Sequence, residues 1–233
     1  MLSAKLFLFF AERWNLYLKP DVFVASTKPT AIWAKNTCPW TRVETIPYGV
    51  DVSIYSKAEP IKLTLERPVI LCPAATVRYK RVELAIKAVA KLKKGSLLHL
   101  GGGPLEDEIK RIGTELLGRK RFLSKVVPIG EMPGFYAACD LVTLPSTTQE
   151  NSPMVFMEAM AAGKIVVTTD APRSRWILGD AGVFVNPEKA DEYSLALEHA
   201  LNLKGTKEKV RKRAELFSWD KIAAEYEKVI TNL

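Results

Sequence analysis

From about Val69 onward the chain alternates short apolar runs with stretches of helical period. PVILCPAA (68–75), SLLHLGGG (96–103), KVVPIG (125–130), DLVTLPS (140–146), KIVVTTD (164–170) and GVFVNP (182–187) read as short buried strands. Between them, RVELAIKAVAKLKK (81–94), PLEDEIKRIGTELL (104–117), Phe135–Cys139, Pro153–Ala162 and Ala190–Asn202 read as helices, and SWDKIAAEYEKVITNL (218–233) as a terminal amphipathic helix. Strands rich in β-branched residues and separated by helices predict an α/β fold, a Rossmann-like parallel sheet with helices on both faces. In such a sheet ligands bind at the carboxyl ends of the strands. The glycine loop, the Arg78–Lys80 loop and the Ser146–Pro153 loop all follow strands, so all three are expected to face one crevice. The first 50 residues differ: an aromatic-rich helix (1–20), a strand DVFVAST, a short helix TAIWAKN and a strand RVETIPYGVD that runs into a turn. Residues 51–68 read as a connector.

The segment STTQENSPMVFMEAMAAG (146–163) carries the strongest chemical signal. Asn151 or Ser152 suits the cap of its helix, Pro153 its first turn and Gly163 its end. The free N–H groups of Asn151, Ser152, Met154 and Val155, and the positive end of the helix dipole, make a site for a diphosphate. Glu150 lies just before that anion site, and Glu158 lies over a turn inside the helix. Glu158 can accept both hydroxyls of a ribose diol, while Glu150 meets whatever hangs from the phosphates. The pair suits a nucleotide-sugar.

Size and charge narrow the classes. The 233 residues suffice for one large or two small domains. Their 48% apolar and 26% charged residues are ordinary for a globular protein. No apolar run reaches the roughly 18 residues of a membrane span, and LFLFF, followed by Glu12 and Arg13, makes a poor signal peptide. Cys38, Cys72 and Cys139 match no metal or redox spacing and read as buried thiols in a reducing, cytoplasmic setting. The net charge of +8 favours phosphate-bearing ligands, anionic headgroups or nucleic acid without choosing among them.

With these motifs assembled, the chain resembles the retaining GT-B glycosyltransferases of family four. IPYGVD (46–51), VRYKRVELAI (77–86), HLGGGP (99–104), the two-glutamate block 139–172, AGVFVNP (181–187) and FSWDKIAAEYEKVI (217–230) carry the resemblance, in order, over about residues 21–233. It implies a donor-binding domain for a UDP- or GDP-sugar (69–216), a connector (51–68), a remnant of an acceptor domain (1–50) and a terminal helix (217–233) packing back toward the N-terminal segment. It also implies transfer with retention to a hydroxyl on a lipid-linked, glycan or protein acceptor, with no metal and no cofactor.

Two departures stand out. Where the family has GRxxxxK, this chain has Ala74 and Ala75 before Lys80, and Arg78 is the candidate substitute. Most of the first Rossmann-like domain is not visible in the sequence.

Each candidate has a plainer alternative. Lys80 would neutralise the diphosphate, or simply be a solvated lysine poorly placed at a helix start. Gly101, Gly102 and Gly103 would let backbone approach the nucleotide, or merely form a tight turn. Gly130 and Glu131 follow the third strand, where the family holds the base. His99 and His199 read as structural. The basic runs GRKR (118–121) and KVRKR (209–213) suit a solvated helical face, with lipid or RNA as the sharper alternative; nucleic acid is not the expected partner. The apolar face of the N-terminal helix suits internal packing, a membrane interface or a homo-oligomer. The functional alternatives are therefore an enzyme, a donor-binding half-enzyme that needs a separate acceptor-binding partner, and a basic Rossmann-like protein that has lost donor binding.

Overall fold

The computed structural model describes residues 19–147, 152–203 and 205–233. The aromatic-rich helix expected over residues 1–20 lies almost wholly outside the described residues, as do Glu150 and Asn151.

The chain divides into two compact units. In the smaller one, formed by the N-terminal segment to Tyr48 and by Asp220–Leu233, β1 (Val22–Ala25) pairs in parallel with β2 (Arg42–Thr45). The crossover is α1 (Lys28–Thr37), which starts at Thr27, whose hydroxyl accepts from the Thr30 N–H.

The larger unit, Gly49–Trp219, begins with α2 (Val52–Ser56), a helix inside the stretch read as a connector. Asp51 caps it by accepting from the Ile54 N–H. Then follow β3 (Val69–Pro73), α3 (Val82–Ala90), β4 (Ser96–Leu100), α4 (Glu106–Arg121), β5 (Phe122–Lys125), α5 (Met132–Ala138), β6 (Leu141–Leu144), α6 (Met154–Ala161), β7 (Val166–Thr169), α7 (Pro172–Leu178), β8 (Gly182–Val185), α8 (Ala190–Asn202), α9 (Lys207–Ala214) and the start of α10 (Trp219–Thr231). The six strands form one parallel sheet in the order β5-β4-β3-β6-β7-β8. Every residue of β3, β4 and β6 is buried, as central strands covered on both faces must be. One helical layer contains α3, α4 and α8; α2, α5, α6, α7 and α9 pack together on the other.

The third strand differs from expectation. The run KVVPIG contributes only Lys125 to the sheet; β5 is FLSK. Its neighbour β4 ends at Leu100, opposite Lys125, so the ladder has no further partner there. Val126 and Ile129 are consequently exposed.

Strand order reverses between β3 and β6, which are neighbours although two strands separate them in sequence. Their amino ends are pinned by Asp140, which accepts from the Val69 N–H at 2.7 Å and from Arg67 at 2.8 Å. Their carboxyl ends lead to loops that part in opposite directions.

Much of the positive charge is turned inward. Arg121 donates to the carbonyls of Val89, Leu92 and Gly95 beyond the end of α3. Arg213 donates to Trp176 and Ile177 at the end of α7, and Arg211 to Ser56 at the end of α2. Lys164 reaches Ala137 and Cys139 at the end of α5. Each meets the negative end of a helix dipole and its orphan carbonyls. The runs read as solvated faces are therefore only partly so: Arg121, Arg211 and Arg213 serve as helix caps.

Replacing Arg121 by alanine leaves carbonyl groups of two turns without their charged donor. It is expected to lower the unfolding free energy by about 1.5–3 kcal/mol, measured by urea denaturation.

Candidate functional site

At the carboxyl ends of β3 and β4 two loops are zipped together. The Thr76 N–H donates to the Gly102 carbonyl at 3.0 Å, and the Leu105 N–H to the Thr76 carbonyl at 3.0 Å. The approach is close enough that a Cβ on Gly101, whose φ is +154°, would stand 2.1 Å from the Ala74 oxygen. Gly103, at φ +145°, lies against Thr76. The glycines are thus demanded by loop packing itself. His99 lies beneath, fully buried. Its Nε2–H donates to the Ala74 carbonyl at 2.8 Å, and Nδ1 accepts from the Ser124 hydroxyl at 2.8 Å. Burial pushes its pKa down. Both ring nitrogens are engaged in support, as expected for a structural histidine.

Lys80 closes a tight helical turn, Arg78–Lys80, that follows β3. Its ammonium stands 5.4 Å from the Tyr79 ring centroid. Burial pushes the Cys72 thiol in β3 up to about 12, with the Lys80 charge acting against that shift; the lysine's field therefore reaches the end of the strand. Arg78 is exposed. The arginine that turns into the protein is Arg81, whose side chain is 15% exposed and donates to the Pro145 carbonyl at 2.8 Å.

The loop after β6 faces this one. The Thr147 N–H donates to the Tyr79 carbonyl at 2.8 Å, and Arg173 donates to the Thr147 carbonyl at 2.7 Å. The loop returns at Ser152 to start α6. Pro153 occupies the cap position, with extended φ/ψ and no side-chain cap, which corrects its expected place in the first turn. Ser152 is not the expected cap: its hydroxyl is buried without a hydrogen-bond partner, and so are those of Ser146 and Thr76. Proline cannot offer an N–H or a side-chain acceptor, so the opening of α6 is left to its own amides. Met154 is exposed and Val155 half-buried there.

Glu158 sits one turn further along α6. The Tyr136 hydroxyl of α5 donates to its Oε2 at 2.7 Å. Tyr55 of α2 packs against Tyr136, the two rings meeting edge to face with centroids 5.5 Å apart. Burial, then the Glu158 charge, raises both phenol pKa values, so Tyr136 stays protonated and donates. Glu158 is half-buried, between its tyrosines and the surface.

The structure thus brings Lys80, Gly101–Gly103, Ser152, Pro153, Met154 and Val155 to the carboxyl ends of adjacent strands. Gly130 and Glu131 are exposed in a turn beyond β5, at the sheet edge. They do not directly follow the strand, because the strand ends at Lys125. Sequence reading missed Arg81, Tyr55 and Tyr136. Two signals were present: a buried tyrosine needs a partner for its hydroxyl, and Arg81 adjoins the lysine already singled out. Among the described residues no group of three or more His, Cys, Asp or Glu could hold a metal ion, and no helix is long and apolar enough to cross a membrane.

A parallel α/β sheet whose crevice opens at a strand-order reversal, beside a helix N-terminus and a lysine loop, defines a domain of the doubly wound class, in which ligands bind at such a reversal. Residues 56–217 match the family model for glycosyl transferases group 1, and the chain belongs to that family. A phosphatidyl-myo-inositol mannosyltransferase of Mycolicibacterium smegmatis is 31% identical over 149 residues, covering 61% of this chain and 38% of that protein. A GDP-mannose-dependent monoacylated α-(1-6)-phosphatidylinositol monomannoside mannosyltransferase of Corynebacterium glutamicum is 26% identical over 68% of this chain and 47% of its own length. The chain spans less than half the length of these curated relatives. Among solved structures, Anabaena HepE in complex with UDP and glucose superposes with a TM-score of 0.78 at 18% identity, covering 95% of this chain and 66% of that one. Sucrose-phosphate synthase from Thermosynechococcus elongatus gives 0.77 at 20% identity, over 91% and 58% of the two chains. These neighbours are GT-B glycosyltransferases and establish the fold, of which this chain covers a part.

The buried His99 generates a pH prediction. Its folded pKa is depressed, so folding favours the neutral ring. Its contribution is fully present above the unfolded pKa of about 6.5 and is lost as pH falls below that value. The melting temperature is expected to drop from pH 7.5 to 5, and His99→Gln to flatten that drop, measured by calorimetry across the range.

Proposed function

We propose that the protein is a retaining glycosyltransferase that moves a sugar from a UDP- or GDP-sugar to a hydroxyl acceptor without a metal. The observation that carries this reading is the opening of α6 at the β3/β6 reversal. The loop leading to it is hydrogen-bonded to the loop bearing Lys80, and the hydroxyls of Thr76 and Ser146, just after β3 and β6, and of Ser152, just before α6, are buried without partners. Buried hydroxyls ordinarily find a partner, and phosphate oxygens would provide one.

In this reading the diphosphate lies against the Ser152, Met154 and Val155 amides, with Lys80 opposite. Breaking the bond between the anomeric carbon and the phosphate oxygen builds negative charge on that oxygen. Preset donors and the helix dipole stabilise that charge as it forms. The acceptor oxygen bonds to the anomeric carbon on the face the diphosphate leaves, and its proton passes to the departing diphosphate. Glu150 orients the sugar. Glu158 receives the ribose hydroxyls with the carboxylate capacity Tyr136 leaves free. Gly102 lends backbone beside the nucleotide, while the exposed Gly130, Glu131 and Arg78 are outer contacts. The family relatives' names support a lipid-linked acceptor, and a cytoplasmic site of action with peripheral membrane contact belongs to the same proposal.

A saturating UDP- or GDP-sugar, at about 100 times its dissociation constant, should stabilise the fold by about 2.7 kcal/mol and raise the melting temperature. Glu158→Gln, which keeps an acceptor for Tyr136, should weaken that donor about tenfold or more through loss of charged hydrogen bonds. No shift with any donor in a broad panel would contradict the proposal.

A further inference from the structure

Arg81 occupies a position where the backbone favours glycine. It caps α3 with φ 51° and ψ 42°, the left-handed region that a residue with a Cβ enters only at a cost. Such outliers persist where the surroundings enforce them, and they cluster at functional sites. Here the surroundings are visible. Nε donates to the Pro145 carbonyl at 2.8 Å, one terminal nitrogen to the Ser146 carbonyl and the Thr169 hydroxyl, each at 3.2 Å, and the other to Glu188 at 3.1 Å. The Thr169 hydroxyl donates in turn to the same Ser146 carbonyl at 2.7 Å. One side chain rooted in the loop after β3 therefore crosses the strand-order reversal and grips the first residues after β6, the end of β7 and the segment after β8.

The distribution of exposure shows which bonds matter. Glu188 is 71% exposed, so that ion pair is well screened and weak. The carbonyl and hydroxyl bonds are made by a guanidinium only 15% exposed, where charge-assisted bonds are stronger. What they fix is the backbone entering the Ser146–Pro153 loop.

We propose that Arg81 is a positioning residue of the donor site. By tying Pro145 and Ser146 to the loop that carries Lys80, it sets the two walls of the crevice against each other. It acts through these walls and not by touching the ligand, because Nε and the terminal nitrogen turned toward them already spend their N–H groups on protein acceptors. The inference rests on the donor-site reading given above.

Glycine is the informative substitution, since it accepts the left-handed backbone without strain and removes only the arm. UDP and GDP are titrated into the full chain by calorimetry for the wild type, Arg81→Gly and Arg81→Lys. Amide exchange is followed at Thr147, whose N–H bonds across the crevice to Tyr79. Arg81→Gly should melt no more than about 8 °C below the wild type, relief of the left-handed backbone offsetting part of the lost bonds, yet at a temperature where it is fully folded it should bind the preferred nucleotide about tenfold or more weakly. Arg81→Lys should recover part of that loss, and exchange at Thr147 should quicken in the glycine variant. Wild-type affinity in Arg81→Gly would overturn the proposal, as would losses in both variants that merely track their melting temperatures. Should the wild type take up neither nucleotide, it is the donor reading that fails. Thr147 then decides for Arg81 alone: faster exchange supports the tie across the crevice, and unchanged exchange refutes it.

Discussion

Two neighbouring parallel strands, β3 and β6, carry chains that must leave in opposite directions, because the strands that follow each of them lie on opposite sides of the sheet. Parallel strands need long crossovers, and those crossovers cover both faces. The carboxyl ends at the reversal are thereby left uncovered. Every feature of the candidate site depends on that gap. It receives the loop carrying Lys80 from one side and the opening of α6 from the other, and the glycine loop closes against the first of these through backbone bonds. Pinning of the opposite strand ends by Asp140 keeps the gap at one end only.

The distribution of charge follows the same economy. A net charge of +8 invites the thought of an extended basic surface. Several of the cations instead meet helix ends: Arg121, Arg211, Arg213 and Lys164 donate to carbonyls at or just beyond them. Arg81 does the same for two loop carbonyls. Part of the charge thus supports the fold itself.

Most of the architecture was legible in the sequence because burial on both faces writes itself as continuous apolar runs. VILCP, SLLHL, LVTL and VVTT all became strands, and Ala190–Asn202 became a helix with the bounds read from its pattern. KVVPIG was the exception. Its apolar residues suggested a strand, yet the strand's extent was decided by where β4 stopped, which no local pattern encodes. The proline before α6 misled in a related way, since its suitability for a first turn did not fix on which side of the helix boundary it would fall. At the site, residues tied to a local motif could be singled out and placed after their strands or on their helix: the lysine, the glycines and the second glutamate. Chemistry that depends on contacts between distant segments could not. Arg81 meets residues 64 to 107 positions away, and the Tyr136 hydroxyl finds Glu158 across two helices.

Tyr136 also defines what is asked of Glu158. It holds a half-buried carboxylate in place on α6, so a ligand received there would share the carboxylate with it. A crystal structure of the protein with bound nucleoside diphosphate tests this account most directly. It should place the diphosphate at the opening of α6, with the ribose hydroxyls on Glu158 and the Tyr136 bond intact. A nucleotide bound away from the β3/β6 reversal, with Glu158 held by Tyr136 alone, would contradict it.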